Sequence, residues 1–266
     1  MCPAGRATSV RGMDDLPPRL SRLTFHGPLS DARADAMVRR LATPRPARVL
    51  DIGCGWGELM LRVLAAVPGA TGVGVDLNGE DLARGRANAV ARGLGERVEF
   101  VAESAVGTVR GPADLVLCLG ASHALTEDGA GLPDALRALR RLVADGGRVL
   151  LGEGFWQRTP TADELSRMWP GASPTDHPSL PALLDLAVST GFRPEWTETA
   201  GPDEWDAFES AYQADTEVWL AHHPTHPLAP QTRDRLDTHR AQWMAYRGVL
   251  GLAYLTLVPL SGQIPD

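Results

Sequence analysis

The run VLDIGCGWG, Val49 to Gly57, followed by VGVDLN, Val73 to Asn78, constrains this chain more than any other feature. It reads as an apolar strand carrying an acid, three glycines at alternate positions, and a second apolar strand that closes on another acid. Short apolar strands of this kind suit a parallel sheet buried on both faces. Glycine lets the intervening loop turn sharply and brings a ligand against bare main chain, where a Cβ would clash. Asp76 falls where an α/β fold places the acceptor for a ribose diol. The two runs together predict an adenosine-containing ligand.

Glycine spacing discriminates between such ligands. The dinucleotide fingerprint is G-x-G-x-x-G, and its third glycine position is Glu58 here. A carboxylate suits a helix N-terminus but repels a pyrophosphate, whereas the extra acid Asp51 before the loop suits an ammonium group. The resulting pattern, acid-x-G-x-G-x-G through Asp51, Gly53, Gly55 and Gly57, resembles the class I S-adenosylmethionine-dependent methyltransferases. The likeness runs over about residues 30–155 and is one of topology alone beyond them.

That resemblance implies an α/β fold: a Rossmann-like, seven-stranded, mostly parallel sheet with helices on both faces and the last strand antiparallel. It implies S-adenosyl-L-methionine as cofactor and S-adenosyl-L-homocysteine as product. By the same likeness Asp51 and the backbone of Gly53, Cys54 and Gly55 hold the methionine end, and Asp76 holds the ribose. Leu77 flanks the purine, and Leu119 borders the cofactor from the fourth strand. The family's acid after the third strand is split here between Glu103 and Ser104, which leaves the adenine contact open between them.

Short apolar runs alternating with helical patterns, as in βα units, predict strands at 48–52, 72–77, 98–102, 114–119 and 148–152, with helices at 58–67, 79–92 and 132–143 between them. Ser30 is a suitable N-cap for a preceding helix that Pro44 stops. Strands six and seven are expected at 193–199 and 249–258. Between them, residues 202–247 carry two helical patterns and predict a helical cover on one domain spanning 21–266. Its stripe of Trp205, Phe208, Tyr212 and Trp219 reads as core packing, with a pocket-lining role as the alternative. In the second pattern Leu236, Trp243 and Leu250 share a face. Residues 1–20, rich in Arg, Pro, Gly and Asp, read as a flexible arm.

A net charge of −7 argues against nucleic-acid partners. All 26 cationic residues are arginine, so no lysine amine is available as base or nucleophile. Three widely spaced cysteines (Cys2, Cys54 and Cys118) suit a reduced compartment. With no signal-like start and no long apolar run, the chain is expected in the cytoplasm, off the membrane, as a monomer or homodimer.

The chemistry is expected at the end of strand four, LCLGASHAL, and strand five, LGEGFW. The N/D-P-P-Y/F/W tetrapeptide of methyltransferases acting on nucleic-acid bases or glutamine is absent from the first. His123, just past the end of strand four, is a candidate general base, and Glu153 is the second catalytic candidate. His26, Ser122, Trp156 and Tyr212 are candidate substrate contacts, and Phe25 and His26 candidate lid residues. Trp56 reads equally as an aromatic face for the sulfonium or as cover for the helix. The AHHPTHP run is proline-broken and lacks a carboxylate at ligand spacing, so no metal is expected. The expected reaction is methyl transfer to an O, N or C nucleophile of a small, partly aromatic molecule, of secondary-metabolite type. The alternative is a protein of this fold that binds the cofactor without methylating, either using the sulfonium charge for rearrangement or cyclisation or acting as a sensor.

Overall fold

The computed structural model describes residues 17, 19–127 and 130–262. Its seven strands are β1 (Arg48–Ile52), β2 (Thr71–Asp76), β3 (Val98–Ala102), β4 (Ala113–Leu119), β5 (Val143–Trp156), β6 (Phe192–Thr199) and β7 (Leu250–Pro259). They form one sheet in the order β3-β2-β1-β4-β5-β7-β6. β1 to β5 pair in parallel, and β7 runs antiparallel to both β5 and β6. This is the sheet the sequence predicts. The chain winds outward from β1 in one direction and resumes at β4 in the other, so the carboxyl ends of β1 and β4 flank the crevice where such folds bind ligands.

Among the described residues eight α-helices surround the sheet: α1 (Asp31–Ala42), α2 (Glu58–Ala66), α3 (Gly79–Ala91), α4 (Leu132–Leu142), α5 (Ala162–Arg167), α6 (Leu180–Ser189), α7 (Pro202–His222) and α8 (Ala229–Tyr246). Strand alternation divides the core in two. Val49, Leu115, Leu117 and Leu150 pack with Met37 and Leu41 of α1 and with Leu61 and Leu64 of α2. Leu50, Ile52, Val116, Val149 and Leu151 face the other way, onto Leu136 and Leu139 of α4 and Leu183 of α6. Truncating any one of these leucines to alanine costs about 2–5 kcal/mol in a core of this kind.

Ser30 caps α1 by accepting a hydrogen bond from the Arg33 amide, and the helix ends before Pro44. Gly146 and Gly147, between the expected helix 132–143 and strand 148–152, lie within β5, where Ala113 pairs Val143 and Leu115 pairs Arg148, so that four residues loop out opposite one. β5 runs beyond its predicted end to Trp156 because β7 pairs with it as far as Leu250. α5 and α6, between β5 and β6, have no counterpart among the predicted elements. Leu250 belongs to β7 rather than to the helical face shared by Leu236 and Trp243.

Of the expected N-terminal arm, residues 1–16 and 18 lie outside the described residues. Its last residues are docked rather than loose: Arg19 forms a bidentate pair with Asp81, and Leu20 is buried beside Trp56.

Candidate functional site

The glycine loop leaves β1 with Gly53, Gly55 and Gly57 all at positive φ and enters α2. A Cβ on Gly53 would lie 2.3 Å from that of Ala121, whereas one on Gly55 would meet nothing within 4 Å. Gly55 therefore offers bare main chain to open space, the surface a ligand needs for close approach. Asp76, at the end of β2, folds over this loop: its Oδ2 accepts from the Gly55 amide at 2.8 Å and its Oδ1 from the Asn78 amide at 2.8 Å.

Asp51 is only 6% exposed and accepts no hydrogen bond from the described residues. Burial, reinforced by the neighbouring Asp76 charge, pushes its carboxyl up to about 8. An acid in this condition is satisfied by a cation placed beside it. Glu58 is different. Although buried, it is paired with Arg62 at 2.8 Å and Arg92 at 2.7 Å, so its charge is spent within the protein. Burial and the acids Asp51 and Asp76 push the Cys54 thiol up, and burial does the same to Cys118, so neither supplies a thiolate.

Two cavities adjoin this loop and share Gly53, Leu119, Gly120 and His26. The larger, about 540 Å3, is lined by Asp76, Leu77, Glu103, Ser104, Ala121 and His123 among others. Leu77 stands 76% exposed, an apolar side chain in the open at the mouth of the cleft. Glu103 reaches the cleft with its carboxylate held by Arg110 at 2.5 and 2.9 Å, a pairing that lowers its pKa. The Ser104 hydroxyl accepts from the Val106 amide at 3.2 Å. His123 lies in a single 3-10 turn, Ser122–Leu125, directly after β4.

The smaller cavity, about 200 Å3, reaches Asp51 and is walled by Phe25, Trp56, Trp205, Phe208, Leu252 and Tyr254. The Tyr254 hydroxyl donates to the Pro28 carbonyl at 3.0 Å, whereas the Trp205 indole N–H is buried without a partner among the described residues. Trp56 donates to the Thr24 carbonyl at 2.7 Å and is packed by Arg84, 3.9 Å above its ring, and by the His26 imidazole. Arg84 also binds the Leu20 and Leu23 carbonyls. Trp56 therefore clamps the segment before α1. That segment places His26 at the junction of both cavities, where partial desolvation lowers its pKa.

Glu153 sits on β5 beside Ser122 and His123. Its Oε1 accepts from the Gly154 amide at 3.2 Å, while Oε2 is buried without a partner. Burial raises its pKa, against the opposing influence of Ser122, Gly154 and His123.

Neither Glu153 nor Ser122 is among the residues that line these cavities, and the expected substrate contacts Trp156 and Tyr212 lie away from them. Trp156 is buried among Met168, Ala245 and Val249, stacked on Trp169, with its N–H spent on the Pro174 carbonyl at 2.9 Å. It is three residues from Glu153 on a strand and so points to the opposite face. Tyr212 stacks on His239 in a separate cavity under α7 and α8, where His26 is again part of the wall.

Of the expected aromatic stripe of α7, Trp219 is buried as core and Trp205 and Phe208 wall the smaller cavity, the alternative role. The most buried residues of α7 are Glu209, Gln213, Thr216 and Trp219, whereas Tyr212 is exposed. The signal was present in the sequence as polar residues at positions i, i+4 and i+7. Reading apolar periodicity alone passes over it. Among the described residues no group of three or more His, Cys, Asp or Glu is placed to hold a metal, and no helix is long and apolar enough to cross a membrane.

Comparison with known proteins agrees with this geometry. A family model described as a methyltransferase domain matches residues 50–149. The uncharacterised protein YjhP of Escherichia coli K12 is 28% identical over 84% of this chain and 88% of its own. A SAM-dependent methyltransferase from Geobacter sulfurreducens, crystallised with S-adenosyl-L-homocysteine, superposes with a TM-score of 0.78 at 27% identity, covering 91% of this chain and 98% of that one. Its counterpart from Thiobacillus denitrificans, also with S-adenosyl-L-homocysteine, gives 0.78 at 26% identity over 91% and 98%. Residues 50–149 thus form a methyltransferase domain, carried on the fold of the S-adenosylmethionine-dependent methyltransferases to which the chain is similar.

Proposed function

We propose that the enzyme transfers the methyl group of S-adenosyl-L-methionine to an O, N or C nucleophile of a small-molecule acceptor, in metabolism of the secondary type. The observation that carries this reading is the unpartnered, buried acid Asp51 at the point where the adenosine-sized cleft passes into a narrower aromatic chamber. A carboxyl in that place suits the cofactor's ammonium group, with Gly55 giving close main-chain approach and the remaining lone pairs of Asp76 available to the ribose hydroxyls. Leu77 and Leu119 would pack on the nucleoside. Because Arg110 already holds Glu103, adenine recognition falls to Ser104 and the backbone beside it.

Methyl transfer from a sulfonium expels a neutral thioether, so alignment and exclusion of water do most of the work. The aromatic walls Phe25, Trp56, Trp205 and Phe208 supply that exclusion, and a chamber of about 200 Å3 favours a small acceptor over a macromolecule. A nucleophile that carries a proton needs a group to receive it. His123, on the wall of the larger cavity, is the first candidate for that role and Glu153, on β5 beside Ser122 and His123, the second, with His26 where the two cavities meet.

The test is to follow S-adenosyl-L-homocysteine against product for a panel of phenolic, amine and enolic acceptors. Equimolar formation of the two is expected. Conversion of substrate without S-adenosyl-L-homocysteine would instead mean that the sulfonium acts only as a charge. Replacing Asp76 by alanine should cost about 1–3 kcal/mol of S-adenosyl-L-homocysteine affinity by calorimetry, and undiminished affinity would remove Asp76 from the ribose role.

A further inference from the structure

The third cavity, about 450 Å3, lies between the segment 19–26, with Pro17, and helices α7 and α8. His26 forms part of its wall and of both cofactor-side cavities, so it stands where the three spaces meet. The rest of the wall is Tyr212, Leu20 and Leu236 as apolar surface, with Arg19, Arg235, His239, Gln213 and Thr216 as polar groups. In a chain of net charge −7, no carboxylate lies in this wall among the described residues.

The neighbouring acids are already engaged. Arg19 is balanced by Asp81. Behind the wall, Glu209, 2% exposed, accepts from His239 Nε2 at 2.8 Å and from the Tyr246 hydroxyl at 2.5 Å. That arrangement fixes the imidazole and leaves Nδ1 without a partner among the described residues. Arg235 has no acidic partner among them either. Gln213, 6% exposed, donates its amide to the Glu209 carbonyl at 3.3 Å, and its Oε1 is buried without a donor.

We infer that this chamber holds the distal end of the methyl acceptor, and that this end is an anion carrying an N–H or O–H group, as in a hydroxy- or amino-substituted carboxylate. The inference rests on the methyl-transfer reading above and deepens it. Arg235 supplies the charge, and His239, whose Nε2–H is donated to Glu209, offers its Nδ1 to take the donor. Tyr212 packs against the acceptor's body, which passes His26 to reach the methyl group.

The probes are 3-hydroxybenzoate and its neutral twin 3-hydroxybenzamide, titrated into the full chain saturated with S-adenosyl-L-homocysteine, with the histidine ring resonances followed by NMR. We expect the benzoate to bind about tenfold or more tighter than the amide, the strength of a charge-assisted contact, and to move the His239 and His26 resonances. In Arg235→Gln, which alters an exposed side chain, the preference should fall to within about twofold while S-adenosyl-L-homocysteine affinity is unchanged. Equal binding of the two probes, failure of the benzoate to bind, or a preference that survives Arg235→Gln overturns the inference. Failure of S-adenosyl-L-homocysteine to bind the wild type is a separate result, and it overturns the methyl-transfer reading itself.

Discussion

Asp51 binds its proton more tightly in the folded chain than in the unfolded one, and this gives the pH dependence a definite sign. Its carboxyl lies near 8 when folded, raised by burial and then by Asp76, against an ordinary value of 3.8. Between those limits the folded chain holds a proton that the unfolded chain has released. Its contribution to stability therefore falls as pH rises through that window and is constant above it. Asp51→Asn removes the effect: the variant should gain thermal stability relative to wild type as pH climbs from about 5 to 8, and a pH-independent difference would refute the assignment. The same variant should bind S-adenosyl-L-homocysteine more weakly by about 1.5–3 kcal/mol, the scale of a lost charged hydrogen bond. In the wild type, binding near neutral pH should release a proton, measurable as a buffer-dependent calorimetric enthalpy. The two proton-handling candidates separate by a different measurement. His123→Ala should keep cofactor affinity and lower turnover by about 10²–10⁴-fold if the imidazole is the base, and an unchanged rate would leave that role to Glu153.

Elements differ in how openly they announce themselves in sequence. β1 to β4 are short apolar runs cut by glycine, and the boundaries read from them fall within a residue of those observed. The glycine loop was legible because each of its glycines has a steric task. Gly57, at φ +65°, would set a Cβ 2.7 Å from the Phe100 ring. Gly57→Ala should therefore destabilise the fold by about 2 kcal/mol or more, combining left-handed strain with overpacking, which a denaturant titration would detect. The cover was less legible, for a physical reason. α7 turns Glu209, Gln213 and Thr216 inward, where Glu209 is met by His239 and Tyr246, groups supplied 30 and 37 residues later. No local pattern reveals that a buried carboxylate has partners on another helix. Trp156 misled in the opposite way: its nearness to Glu153 in sequence is cancelled by strand alternation, which sends the two to opposite faces.

At the scale of the whole molecule, the cover is made from two stretches of chain almost two hundred residues apart, and charged hydrogen bonds join them. Glu204, in the first turn of α7, accepts from the Ser30 hydroxyl at 2.6 Å and pairs with Arg33 at 2.8 Å. Arg33 and Arg40 of α1 also reach Glu198 on β6. Farther along α7, Asp215 receives the Ser21 amide at 3.0 Å and Arg22 at 2.7 Å. The segment carrying Phe25 and His26 is thus held from above by α7 and from below by Trp56 and Arg84. Burial alone would raise the Glu204 carboxyl, but Arg33, Ser30 and Gly201 outweigh it and hold it at about 2. With a folded value below the unfolded one, Glu204 contributes stability that is present above the ordinary 4.5 and lost as pH falls towards 2. Glu204→Gln should therefore lose stability at neutral pH and converge on the wild type in acid. Because the sheet does not depend on this contact, the loss should be local. Hydrogen exchange should quicken across residues 20–30 and the start of α7 while β1, β4 and β5 stay protected. Cofactor affinity should fall with it, since Phe25 and His26 wall the cavity that reaches Asp51. Uniform quickening through the sheet, or local quickening with full cofactor affinity, would mean that the cover is not what closes the site.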